Sequence, residues 1–405
     1  MNKFRKKILI LGAGEAQLNL IKSSKDLGYY TIVCDMRPEK EGSKIADKYY
    51  QQNYMDQDAI LEIALKEKIN GVISNSEPAM INVSYLVDTL NLPGNSTKSL
   101  KQLLSKQSFR KLQKNTGVFS PVSDTGNTIE KILSIAREIN FPIIIKPSES
   151  SGSRGACKIE NYDEEIIKAA FDDCMDFSRN GQVTVEEFIE MQSLEVINVD
   201  VFIAGEEMLW DGWYGGLRSS KKPMIPMAKV LPPYMTDEQE NKIKDEVGRL
   251  LSASGVTLGE FNVETYFTRE GQLFIIEINP RQAGDDIPRL IKEHTGVDLT
   301  KLLVSLSVDD DHYLKYLRTY IREENCITLQ VLFPDKDGIY KGLYIDDAVK
   351  PFVCWIDEFV KEGEKVFNAR NAEDSVAYVD MEFDNKEQQK YYTDNIEKYI
   401  YPIVE

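Results

Sequence analysis

The stretch Leu273-Phe-Ile-Ile-Glu-Ile-Asn-Pro-Arg281 places two polar side chains, Glu277 and Asn279, inside an apolar run. Strand alternation puts both on one face. Glu264 lies upstream in a second strand-like run, Gly259-Glu-Phe-Asn-Val-Glu-Thr-Tyr-Phe267, and Arg269-Glu-Gly-Gln272 between the runs reads as a hairpin turn. With Glu270-Gly271 as a two-residue loop, Glu264 falls directly opposite Glu277. Three oxygen ligands then converge. A buried carboxylate costs several kcal/mol unless a cation or a donor compensates it. Hard oxygen donors with no His or Cys nearby suit Mg²⁺, with nucleotide phosphates as the remaining ligands. The competing reading, a hairpin whose acids face solvent, fits poorly with Phe274, Ile275, Ile276 and Ile278 around Glu277.

A chain of 405 residues exceeds one core and implies two or three domains. Hydrophobic and charged contents of 42% and 28% fit a globular enzyme, and the net charge of −17 argues against a general nucleic-acid binder. Five scattered cysteines form no CxxC pair, so neither a zinc site nor a disulfide framework is indicated. The two histidines, His294 and His312, leave no room for a His-rich metal site, and His294 is expected to cap or pack at a helix end. No apolar run approaches a membrane span or a secretory core, so a cytoplasmic protein is expected.

Residues 7–90 alternate short apolar strands with helical patterns, which implies a parallel sheet covered by helices. Gly12-Ala-Gly14 after the first strand invites a dinucleotide reading. Gln17 stands where that fingerprint wants a small residue, and a tight turn explains the glycines. A basic amphipathic helix is expected over Ser99–Asn115, carrying Lys106 among other lysines on a solvated face. Phe141–Lys146 reads as a buried strand ending in a lysine that can project into a cleft. It opens onto Pro147–Gly155, where Ser151, Gly152, Ser153 and Gly155 suit either a linker or a lid over phosphates. Glu186 is able to accept from an exocyclic amine, with Phe188 and Ile189 as walls for a base, and Glu187 is read as facing solvent. Glu195 is either a ribose ligand or a surface acid. Trp210, Trp213 and Tyr214 either line a substrate pocket or pack. The end of the chain shows short strands at Thr328–Phe333 and Val376–Glu382, then a polar helix over Asn385–Tyr399.

Together these pieces resemble the ATP-grasp superfamily. The segments Ser105–Arg110, Ile143–Ala156, Val185–Glu190, Asn262–Glu264 and Ile275–Arg281 follow the family's order. The resemblance implies a mixed α/β and α+β chain. A Rossmann-like domain would span 1–95 and an ATP-grasp domain 96–310, with its lid at about 125–190. A small α+β domain would span 311–405. It implies ATP and Mg²⁺, with Mn²⁺ as a substitute. Lys106 and Lys146 would contact phosphates under the loop Ser151–Gly155. Glu186, Phe188 and Ile189 would hold the base and Glu195 the ribose. Glu264, Glu277 and Asn279 would bind the metal, and Arg281 would stabilise the transferred phosphoryl group. Asn279–Gly284 and the segment after it are similar to the amino-acid ligases that make dipeptides and to related carboxylate–amine ligases. Gly284 and Arg289 would then lie near the acceptor, with Arg289 either pairing a substrate carboxylate or sitting on a helix surface. Met191-Gln192 departs from the glycine common after the hinge, which loosens the placement of Glu195. The implied chemistry is ligation of a small carboxylate to an amine, with ADP and phosphate released. The alternative is a purine-pathway or carboxylating ligase of the same fold. Partners are small molecules, with neither nucleic acid nor membrane, and a homodimer is compatible.

Overall fold

In the computed structural model of the chain, residues 5–149, 155–219, 225–284, 286–321, 325–369 and 374–405 are described. Lys7–Leu11 is apolar on both faces, so it needs cover on both. It runs parallel between Tyr30–Asp35 and Gly71–Ile73, with Lys48–Gln51 outside. The glycine turn after it is filled by the chain itself. The Gln17 side chain packs over Gly12, and Asp35 accepts from the Ala13 N–H at 2.9 Å. Gly71 has no room for a side chain. A Cβ there would sit 1.9 Å from the Ser307 carbonyl oxygen, so its absence lets the end of helix Leu299–Leu306 close on this sheet.

The helix expected over Ser99–Asn115 is two helices, Thr97–Leu104 and Lys106–Asn115. Ser105 is extended, and its hydroxyl accepts from the Ser108 N–H, competing with the helical ladder as a cap. Lys106 therefore begins a helix rather than sitting within one.

Residues 123–187 form a separate antiparallel sheet in the order Ser123–Gly126, Val183–Glu187, Ile143–Pro147, Cys157–Ile159. Alternation sends Ile143, Ile145, Val183 and Val185 into a core with helices Ile129–Glu138 and Glu164–Phe177. Ile144, Lys146 and Glu186 share the opposite face.

The largest sheet has eight strands, all antiparallel to their neighbours. Their order is Leu273–Asn279, Leu258–Phe267, Glu195–Ala204, Glu207–Arg218, Pro226–Leu231, Cys326–Leu332, Ala377–Phe383 and Val353–Glu358. Helix Asp237–Ser254 opens on a capping box between Thr236 and Gln239 and packs Ile243, Val247, Leu250 and Leu251 against one face.

The C-terminal region departs from the expected separate domain. Three of its strands extend the large sheet, because the edge of Pro226–Leu231 is covered by Cys326–Leu332. Only Lys365–Val366, Gly338–Ile345 and Ile400–Val404 form a small sheet of their own. The helix expected to reach Tyr399 ends at Asp394. Ile400 and Val404 are buried in the strand that follows.

Candidate active site

The hairpin reaches the expected pairing by a different route. Its loop is three residues, Arg269–Gly271, closed by Thr268 N–H to the Gln272 carbonyl at 2.8 Å, with Gly271 at φ +77°. Phe267 therefore faces Leu273, one residue from the two-residue-loop register. A bulge at Ile276, between the Thr265–Ile275 and Glu264–Glu277 pairs, cancels the offset. Glu264 stands directly opposite Glu277.

Both carboxylates line a cavity of about 420 Å³ between the two antiparallel sheets. Lys106, Lys146, Glu186, Glu187, Phe188, Ile189, Arg281 and Gly284 also line it. Asn279, expected as a third ligand, is not among the residues lining the cavity; its amide donates to Glu277 Oε1 at 2.8 Å. Burial pushes Glu277 up, but Lys106, the Asn279 amide, Arg281 and Lys146 outweigh it, and the group falls below its ordinary range. Burial and the neighbouring Glu277 charge push Glu264 up, against Arg218, Lys229 and Arg281. Two half-buried carboxylates face to face favour one negative charge without a cation and two with one. Oxygen-only donors of this kind fit Mg²⁺. Among the described residues no cluster of three or more His, Cys, Asp or Glu is present.

Lys146 projects from its strand end as expected, but not alone. Its Nζ donates to Glu186 Oε1 at 2.8 Å, and Arg110 forks onto the same carboxylate at 2.7 and 3.1 Å. Burial draws Lys146 below its ordinary range, with Arg110 and Lys106 adding to the effect and Glu186 opposing it. Burial raises Glu186, but Arg110 and Lys146 hold it at about 2. A buried carboxylate engaged by two cations is an ion-pair centre, which displaces the expected role of Glu186 as acceptor for an exocyclic amine.

The apolar half of the cavity is walled by Phe188, Ile189, Met191, Tyr266, Phe274 and Ile276. The Lys158 ammonium sits 4.2 Å from the centre of the Phe188 ring, and Tyr266 donates to the Ile189 carbonyl at 2.7 Å. Arg281 is held from behind. Its carbonyl accepts from the Asn262 N–H at 3.0 Å, and the Asn262 amide donates to Asp200 and to the Tyr214 hydroxyl. Asp200 in turn accepts from the Ala283 N–H at 2.9 Å.

Residues 139–288 match the ATP-grasp domain family. That segment is an ATP-grasp domain. The fold of the chain is shared with L-amino acid ligase from Bacillus licheniformis (TM-score 0.80, 15% identity, 99% of each chain). It is also shared with phosphoribosylglycinamide synthetase from Anaerococcus prevotii (TM-score 0.74, 20% identity, 99% of this chain and 100% of that one). In sequence the chain is 26% identical to the C-terminal section of the carbamoyl phosphate synthase large chain of Aquifex aeolicus, over 75% of its length and 58% of the relative's. It is 28% identical to the large chain of Archaeoglobus fulgidus, over 75% of its length and 29% of the relative's. The chain thus spans well under two thirds of these two relatives.

Other expected ATP-grasp site residues fall elsewhere. Glu195 is outside the cavity. Its alternation partner Val196 lines it, while Glu195 faces a neighbouring cavity and accepts from the Tyr234 N–H at 2.9 Å. That placement removes the expected ribose contact. Arg289 is also outside, with its guanidinium engaged by Asp286, Glu293 and Asp380 and lying over Trp355. It joins its helix to the C-terminal strands instead of facing a substrate. Ser151, Gly152 and Ser153 lie outside the described residues. Gly155 packs under its own subdomain, where a Cβ would meet Phe177 at 3.0 Å and Pro147 at 3.2 Å, and Ala156 lines the cavity in its place.

Glu187, read as solvent-facing, lines the cavity. Of the aromatic trio only Tyr214 does so; Trp210 and Trp213 stack on each other at 5.9 Å against the hydrophobic core. Arg110, Arg218, Lys229 and Glu77 escape sequence reasoning. Glu77 reaches the cavity from the short 3-10 helix Glu77–Ala79 that follows strand Gly71–Ile73, and meets Arg179 at 2.6 Å. Each is a charged residue with no local pattern, and its role depends on partners remote in sequence. Among the described residues no helix is long and apolar enough to cross a membrane.

Proposed function

We propose that this protein is an ATP- and Mg²⁺-dependent carboxylate–amine ligase that joins an amino acid to an amine through an acyl phosphate. The observation that carries the reading is the Glu264–Glu277 pair facing Lys106, Lys146 and Arg281 in one cavity. The apolar end beside Phe188, Ile189 and Tyr266 suits a base. Lys106 and Lys146 suit the phosphates, as mobile point charges. Mg²⁺ held by Glu264 and Glu277 would neutralise charge on the phosphates. The substrate carboxylate attacks the terminal phosphorus, the bond to the bridging oxygen breaks, and ADP leaves. Arg281, its backbone held by Asn262 and its Nη1 donating to the Gln282 carbonyl at 2.7 Å, would present a planar cation to the transferred group. The amine then attacks the acyl carbon, phosphate departs, and the nitrogen loses a proton.

A second reading is a carboxylating or purine-pathway ligase, and it is favoured by the shared fold of a 2-oxoglutarate carboxylase domain solved with MgADP and bicarbonate and of phosphoribosylglycinamide synthetase. A phosphate-release screen over pairs of amino acids, with separate bicarbonate and phosphoribosylamine arms and products identified by mass, tests both. Amide products that require two amino acids support the first reading. Phosphate released only with bicarbonate or a phosphoribosylamine assigns the second.

A further inference from the structure

Arg110 stands where three site elements meet. It lies one turn after Lys106 on the same helix, so the two share a face. Its Nε and Nη2 fork onto Glu186, on the lid strand that pairs with the strand of Lys146. Its Nη1 donates to Gln113 at 2.8 Å and to the Ile275 carbonyl at 3.2 Å, one residue before the bulge that sets Glu277. Gln113 reaches the same carbonyl at 3.0 Å. Arg110 is 3% exposed and Glu186 2%, so water cannot replace either partner.

We propose that Arg110 is a positioning residue that satisfies Glu186 and thereby leaves the Lys146 ammonium available to a nucleotide phosphate, an inference that rests on the ATP-dependent reading above. The accounting is by charge. Glu186 is one anion between two cations. Arg110 takes Oε2 by itself and shares Oε1 with Lys146. Without Arg110 the Lys146 ammonium, which shares Oε1 with Arg110 here, would carry the pairing of the buried carboxylate by itself, and that stronger pairing competes with phosphate. Arg110 also fits because its fork and third nitrogen hold three acceptors at once, which a lysine cannot do.

A purely architectural Arg110 predicts something different. Its loss would then lower ATP affinity only in step with thermal stability, because an unpaired buried carboxylate weakens the fold and its removal restores the fold whatever Arg110 does for Lys146. The test is the calorimetric affinity of the full-length protein for ATP with Mg²⁺, read beside thermal unfolding of each variant. Wild-type protein should bind; if it does not, the ATP-dependent reading itself fails. Arg110→Met should bind at least about tenfold more weakly. Arg110→Met combined with Glu186→Gln should recover to within about threefold of wild type, because the competing carboxylate is gone and Lys146 is released. If Arg110→Met does not fold, Arg110→Lys is read instead, with at least about a threefold loss expected. With wild-type binding intact, an unaltered affinity in a folded Arg110 variant overturns the proposal. So does a double variant that binds no better than Arg110→Met.

Discussion

Glu277 and Glu195 show how burial sets the behaviour of single acids here. Glu277 faces Glu264 across one strand pair, a like-charge contact relieved by a cation or by protonation of one acid. Glu277→Gln, nearly equal in shape, should abolish turnover while leaving thermal stability in the absence of Mg²⁺ unchanged or raised. Activity assays and unfolding scans with and without Mg²⁺ check this. Wild-type activity at limiting Mg²⁺ would place the metal elsewhere. Glu195 is pushed up from 4.5 to about 7, chiefly by burial. The Tyr234 N–H and Lys390 partly oppose that shift, and Asp394 adds to it. The folded protein therefore holds a proton that the unfolded chain has released between those two values, and its stability falls as pH rises through that window. Glu195→Gln should flatten this slope, by up to about 3 kcal/mol across the window. Denaturant melts of both proteins from pH 4 to pH 8, roughly spanning the window, measure it.

At the scale of elements, the metal hairpin rests on a left-handed turn and a compensating bulge. Gly271 is at φ +77° and nothing lies within 4 Å of a Cβ built there. Gly271→Ala should therefore cost about 1 kcal/mol of backbone strain alone. ATP affinity should be unchanged, because the bulge and not the loop places Glu277. Urea melts beside calorimetry separate these effects, and an equal loss in both would contradict the account. This hairpin also marks the limit of what its residues reveal. Alternation put Glu277 and Asn279 on one face, and the assumed hairpin put Glu264 opposite Glu277, since acids in an apolar strand are conspicuous. Loop length and bulge were not legible, because two offsetting one-residue shifts leave the same pairing. Lys146 was legible at a strand end, but Arg110 was not, because its partner is 76 residues away. Glu195 was misplaced by a single step of alternation at the start of its strand.

For the whole molecule, the C-terminal region is not independent of the region before it. Strand patterns after residue 311 say that strands exist but not which edge they cover, a nonlocal choice. The structure joins three of them to the large sheet, with Arg289 reaching Asp380 at 2.6 Å across the junction. A fragment ending at residue 310 would bare the edge of Pro226–Leu231 and should not fold as a stable soluble unit. Expression followed by limited proteolysis tests this, and a protease-resistant fragment would argue for separate domains.

The central claim is that the cavity transfers the terminal phosphoryl group of ATP to a carboxylate. Turnover of amino acids whose carboxylates carry heavy oxygen tests it most directly. The account predicts ADP and one labelled oxygen in the released phosphate, in step with the ligated product. Label recovered in AMP, with pyrophosphate as co-product, would contradict it.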